Sequence, residues 1–188
     1  MTVDLVVVHH RALQETGRIV AGVRDDQWHE PTPCADWDVR GLLNHIVGGN
    51  RWVRPLVGGE TIAGVGDRLD GDLLGHSPYM AYEASAADAD RAFCEEGAME
   101  APCAVSYGPI PGAAYCGDRF LDVLVHGWDL AKATGQDTTL DPELVAAALE
   151  VVAPHRQMLA ASGAFGTPTD PPADADDQTR LLAWLGRA

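Results

Sequence analysis

Lysine is almost missing from this chain: Lys132 is the only one, and with the arginines it makes 13 basic side chains against 28 acidic ones. A net charge of −15 leaves no basic stripe able to follow a phosphate backbone, so nucleic acid is not an expected partner. The same shortage argues against docking on an anionic membrane surface. Long apolar runs are lacking too, and no stretch approaches the roughly 20 residues that span a bilayer. The opening Met1-Thr-Val-Asp-Leu-Val-Val-Val-His-His-Arg11 has no basic n-region, and His9, His10 and Arg11 cut its apolar run short. It does not read as a signal peptide, and a cytoplasmic location is the expectation. Cys34, Cys94, Cys103 and Cys116 are the only cysteines, none in Cys-x-x-Cys spacing. A cytosolic setting keeps them reduced, which argues against a bridge between Cys103 and Cys116 across a hairpin. No Gly-x-Ser-x-Gly elbow, no glycine-rich phosphate loop after a strand and no internal repeat is found.

What is present suits a helical protein. Hydrophobic residues make up 46% of 188, enough for one globular domain over residues 1–188. Leu5, Val8, Ala12, Leu13, Thr16, Ile19, Val20 and Val23 recur at helical steps, which predicts a helix over about 3–25. Asp36 or Asp38 caps a second helix bearing Leu42, Leu43, Ile46, Asn50 and Val53 and ending near Gly58-Gly59. Residues 58–77 are glycine-rich and read as a mobile surface loop. A third helix opens at Ser77 or Pro78 and ends near Gly97. Pro102, Pro109 and Pro111 forbid a regular helix over 101–114 and suggest a short hairpin or irregular cross-over. A fourth helix over about 113–134 stops at Gly135. Asp141-Pro142-Glu143 starts a fifth, which Pro154 kinks or interrupts. A Pro-rich connector over 167–177 precedes a terminal helix over 178–187. The expected class is all-α, an antiparallel helical bundle with extra C-terminal helices and a short hairpin insertion.

Two separated signals carry chemistry. Asp122 and His126 stand one turn apart on one helical face, the spacing by which a helix offers two ligands to one cation. His45 lies on another helix, beside its buried stripe. The alternative reading of these spacings is a helical ion pair and a semi-buried histidine. Two imidazoles, one carboxylate and an open position suit catalytic zinc best, with nickel or iron as alternatives. Asp129 is either an acceptor that orients His126 or a solvated charge. Arg119 either receives an anionic substrate or pairs with Asp122. Arg51, Arg54 and Arg68 flank the loop mouth. Cys34 reads as a small buried residue, and Trp37, Trp52 and Trp128 as core.

The run Trp28-His-Glu-Pro-Thr-Pro-Cys34-Ala-Asp-Trp37-Asp-Val-Arg-Gly-Leu-Leu-Asn-His45-Ile-Val-Gly-Gly-Asn50 resembles the N-terminal signature of the mycothiol-dependent maleylpyruvate isomerase group in the DinB-like superfamily. Arg119-Phe-Leu-Asp122-Val-Leu-Val-His126-Gly-Trp-Asp129-Leu-Ala-Lys-Ala-Thr-Gly135 resembles it too, and Arg180-Leu-Leu-Ala-Trp184-Leu-Gly-Arg187 looks like the tail of one of its branches. The resemblance implies a four-helix core, a divalent metal held by His45, Asp122 and His126, and mycothiol as cosubstrate for isomerisation of, or transfer to, a small electrophile. It also implies a homodimer. A non-catalytic metal-binding protein and a metal hydrolase are the alternatives. The isomerase has glutamate where this chain has Asp122, one methylene shorter.

Overall fold

The computed structural model describes residues 3–162 and 165–187. They form the expected all-α class: α1 (Leu5–Ala21), α2 (Val39–Val57), a single turn α3 (Ile62–Val65), α4 (Pro78–Phe93), α5 (Gly112–Thr134), α6 (Pro142–Val152), α7 (Arg156–Ser162) and α8 (Asp177–Trp184). The 101–114 insertion is an antiparallel hairpin, β1 (Pro102–Val105) paired with β2 (Gly108–Pro111), Cys103 opposite Ile110. The chain divides into two compact units, Asp4–Gln136 and the described part of Asp137–Ala188 with Val3.

In the first unit α1, α2, α4 and α5 make the four-helix bundle. Cross-helix contacts fix their directions. Asn50 meets Ser85, and Arg54 meets Asp88, so α2 and α4 run the same way. Leu5 meets Cys116, and Thr16 meets Val123, so α1 and α5 also run together. His45 meets Asp122 while Asn50 meets Arg119, so α2 and α5 are antiparallel. Parallel neighbours cannot be joined by a tight turn. Residues 58–77 therefore serve as the return crossover between α2 and α4, with Val65 and Leu74 buried and Asn44 bonded to Gly71 and Leu73.

Helix ends follow their caps. The expected 3–25 helix is shorter because Asp4 caps Val7 N–H and the chain turns at Gly22, followed by a 3₁₀ turn, Asp25–Gln27. Asp38, not Asp36, caps α2 through Gly41 N–H. Helix α4 stops at Cys94, before Gly97. Gly135 closes α5 with φ 68°, a left-handed position that costs glycine little. The core is built from apolar stripes, with Leu42, Leu43, Ile46, Phe120, Leu124 and Leu130 buried. None of the four cysteines is in a disulfide; Cys103 and Cys116 are buried, and burial pushes the Cys116 thiol up to about 12. No helix among the described residues is long and apolar enough to cross a membrane.

In the second unit, Asp141 accepts from Glu143 N–H (2.8 Å) and Leu144 N–H (3.3 Å) to start α6. Pro154 interrupts this helix in a 3₁₀ turn, Ala153–His155, before α7. Helix α8 packs on α6 and begins at Asp177, capped by Asp176, with Gln178 tied to Leu140 N–H and the Thr138 carbonyl. The Arg156 guanidinium lies 4.7 Å over the Trp184 ring. Removing the α6 cap with Asp141→Ala is expected to cost about 1 kcal/mol, read from the thermal unfolding midpoint.

Candidate metal centre

The seam between α2 and α5 brings the three predicted ligands together. His45 Nε2 stands 3.1 Å from Asp122 Oδ1, and His126 Nε2 3.5 Å from the same oxygen. The two imidazoles cross edge to face with centroids 5.0 Å apart. One donor atom from each residue lies within 4.8 Å of the others. Ligand bonds of about 2.0–2.2 Å around a tetrahedral cation put its ligand atoms roughly 3.3–3.6 Å apart, close to the two distances from Asp122 Oδ1. Burial is graded: the side chains are 34% exposed at His45, 17% at Asp122 and 3% at His126. The open side of the set is therefore the His45 side.

Asp122 holds the centre of the charge pattern. Burial alone would raise its pKa, but Arg119, then His126 and His45, hold the carboxyl well below the usual carboxylate range. Arg119 is buried and donates from Nη1 to Asp122 Oδ2 at 2.9 Å and from Nη2 to Asn50 Oδ1 at 3.3 Å. Of its two readings, pairing with Asp122 is the one the structure has. Any side chain at Gly49 would overlap the guanidinium, so α2 carries glycine where Arg119 crosses it. Asp129 is fully buried rather than solvated, its Oδ2 3.0 Å from His126 Nδ1.

Two residues read as plain packing turn out to line this centre. Trp37 stacks on His45 with ring centroids 4.5 Å apart and meets His126 edge to face at 6.0 Å. Cys34 Sγ lies 3.2 Å from Asp129 Oδ2 and 3.7 Å from His126 Nδ1. Sequence distance gave no sign of this, since 92 residues separate Cys34 from His126. The available signal was position: Cys34 and Trp37 belong to the turn that starts the His45 helix. Of the arginines at the loop mouth, Arg54 is held by Asp88 and Glu95, and Arg68 by Glu60. Trp128 is buried, and Trp52 packs against a core cluster.

The chain belongs to the family of the mycothiol maleylpyruvate isomerase N-terminal domain, whose model matches residues 9–131. The chain is 38% identical over 192 residues to the uncharacterized protein MT0763 of Mycobacterium tuberculosis (strain CDC 1551 / Oshkosh), a match covering 98% of both chains. The uncharacterized protein Rv0738 of strain ATCC 25618 / H37Rv matches to the same extent. Among solved structures it is similar to a His-to-Ala mutant of the mycothiol-dependent maleylpyruvate isomerase, with a TM-score of 0.67 and 17% identity, covering 86% of this chain and 72% of that one. At that identity the likeness is one of fold.

Proposed function

We propose that this protein is a metal-dependent enzyme that uses a low-molecular-weight thiol, mycothiol, to isomerise or modify a small electrophilic substrate. The observation that carries this is the convergence of His45, Asp122 and His126 within ligand distance of one another on an open-sided seam, in a chain of the isomerase family. A divalent cation held there, zinc in our reading, supplies Lewis acidity that keeps a bound thiol or water deprotonated near neutral pH. Asp129 Oδ2 accepts a hydrogen bond from His126 Nδ1–H in the tautomer that turns Nε2 toward Asp122. Arg119 fixes Asp122 through Oδ2 and leaves Oδ1 toward the two histidines. Both act as positioning residues. Trp37, stacked on His45, offers a flat apolar surface beside the centre to a ligand.

The test is zinc affinity, measured by competition with a chromophoric chelator. Wild type should bind tightly at this set, and His45→Ala or His126→Ala should weaken that binding step more than roughly 100-fold, beyond what removal of an outer partner does. Equal affinity in wild type and both variants overturns the reading.

A further inference from the structure

The Cys34 contacts form a second closed triangle of donor atoms on the far side of the His126 ring. Cys34 Sγ to Asp129 Oδ2 is 3.2 Å, Asp129 Oδ2 to His126 Nδ1 is 3.0 Å, and Cys34 Sγ to His126 Nδ1 is 3.7 Å. All three donors lie within ligand range of one another. Bonds of about 2.3 Å to sulfur and 2.0–2.2 Å to nitrogen and oxygen set ligand-to-ligand distances of roughly 3.3–3.6 Å, so the triangle is near the size a tetrahedral cation requires. Hydrogen bonds from the thiol and the ring to Asp129 account for two of its sides. The third, sulfur to Nδ1 at 3.7 Å, is within hydrogen-bond reach of sulfur and closes the triangle near the span of a thiolate and an imidazole on one cation.

The arrangement is prepared by backbone on both sides. Helix α5 presents His126 and Asp129 three residues apart, on one face. Cys34 is fixed by Thr32, whose Oγ1 donates to the Cys34 carbonyl (3.0 Å) and accepts from the Cys34 N–H (3.1 Å), and by Trp37 N–H on the same carbonyl (2.9 Å). Asp129 is fully buried, whereas Cys34 is half-buried and gives access from outside.

We propose that Cys34 Sγ, His126 Nδ1 and Asp129 Oδ2 form a second cation set, selective for thiophilic divalent ions, that shares the His126 imidazole with the first. Sulfur distinguishes the two sets: the first offers only nitrogen and oxygen, whereas the second draws soft ions such as cadmium, or zinc and cobalt through thiolate. Filling it releases the Cys34 thiol proton and the Nδ1 proton to solvent. The proposal does not need the first set to be occupied.

Cobalt reports the two sets separately. Co²⁺ titrated into wild type under a non-chelating reductant should raise a near-ultraviolet thiolate-to-cobalt charge-transfer band. His45→Ala, which breaks only the first set, should keep that band. Cys34→Ser should reduce it at least tenfold while keeping the visible band of a nitrogen and oxygen site. A second measurement on unmutated protein guards against misfolding of Cys34→Ser: Cd²⁺ should slow iodoacetamide labelling of Cys34, read by peptide mass, at least tenfold. No charge-transfer band in wild type at saturating cobalt, a band that survives Cys34→Ser, or unprotected labelling of Cys34 overturns the proposal. Failure of the first set would show instead as a visible spectrum that His45→Ala leaves unchanged and Cys34→Ser removes.

Discussion

Replacing Asp122 by alanine is expected to abolish zinc binding at the set of His45, Asp122 and His126 and to lower stability by about 3–5 kcal/mol, the range for leaving a buried charge without its partner. Both effects come from one side chain with two oxygens. Oδ1 faces His45 and His126, and Oδ2 accepts from Arg119 at 2.9 Å. Without the carboxylate, Arg119 stays buried and keeps the Asn50 side-chain oxygen as its acceptor among the described residues. Two neutral imidazoles then remain at the centre, a much poorer set for a divalent ion. Asp122→Asn separates the two losses. Its amide oxygen still accepts from Arg119 and recovers part of the thermal stability, while zinc affinity stays low. Thermal unfolding and chelator competition on the same two variants check this, and an Asp122→Ala protein as stable as wild type would contradict the pairing.

The second large effect is acid sensitivity from His9. This residue is fully buried on α1 against Phe93, ring centroids 5.0 Å apart, and among the described residues neither ring nitrogen has a hydrogen-bond partner. Burial first, then Arg119 and His10, lower its pKa to about 3 from the usual 6.5. Its neutral form is the one the fold accepts. Between pH 6.5 and about 3 the unfolded chain therefore binds a proton that the folded chain refuses, so stability falls as pH drops. The slope approaches about 1.4 kcal/mol per pH unit, or about 3 kcal/mol lost by pH 4. The Asp122 contribution has the same sign but a lower window. Its folded pKa is depressed from 3.8, so that stability is present above 3.8 and is lost only below it. Denaturant unfolding of wild type and His9→Leu from pH 7 to pH 4 isolates the His9 part: the difference between them should change by about 3 kcal/mol. A constant difference would contradict it.

His9 also marks where sequence reading stopped. The apolar steps Val8, Ala12, Leu13, Thr16 and Val20 gave the buried face of α1, but a histidine after three valines read as the end of an apolar run. Only the packing of Phe93 from α4 places it inside. Caps and breakers were legible wherever a side chain acts on its own backbone. Asp38, Pro78, Gly135 and the Asp141-Pro142 start all act locally. The i, i+4 step of Asp122 and His126 was legible for the same reason, and the surrounding motifs paired it with His45. What could not be read were contacts that need a third dimension. Cys34 reaches α5 through a turn held by Thr32, and Trp37 reaches His45 by stacking across that turn. Helix directions are only partly those of the expected antiparallel bundle: α2 and α5 oppose each other, whereas α1 runs with α5. That α2 and α4 run the same way follows from side chains meeting across them, and it explains why a long glycine-rich segment lies between them.

The central claim joins a cation at His45, Asp122 and His126 to a thiol on its open side. Calorimetric titration of mycothiol into zinc-loaded and zinc-free protein addresses both halves at once. The account predicts saturable binding to the loaded protein and none to zinc-free protein or to His126→Ala. Equal binding with and without zinc, or no binding to the loaded protein, would contradict it.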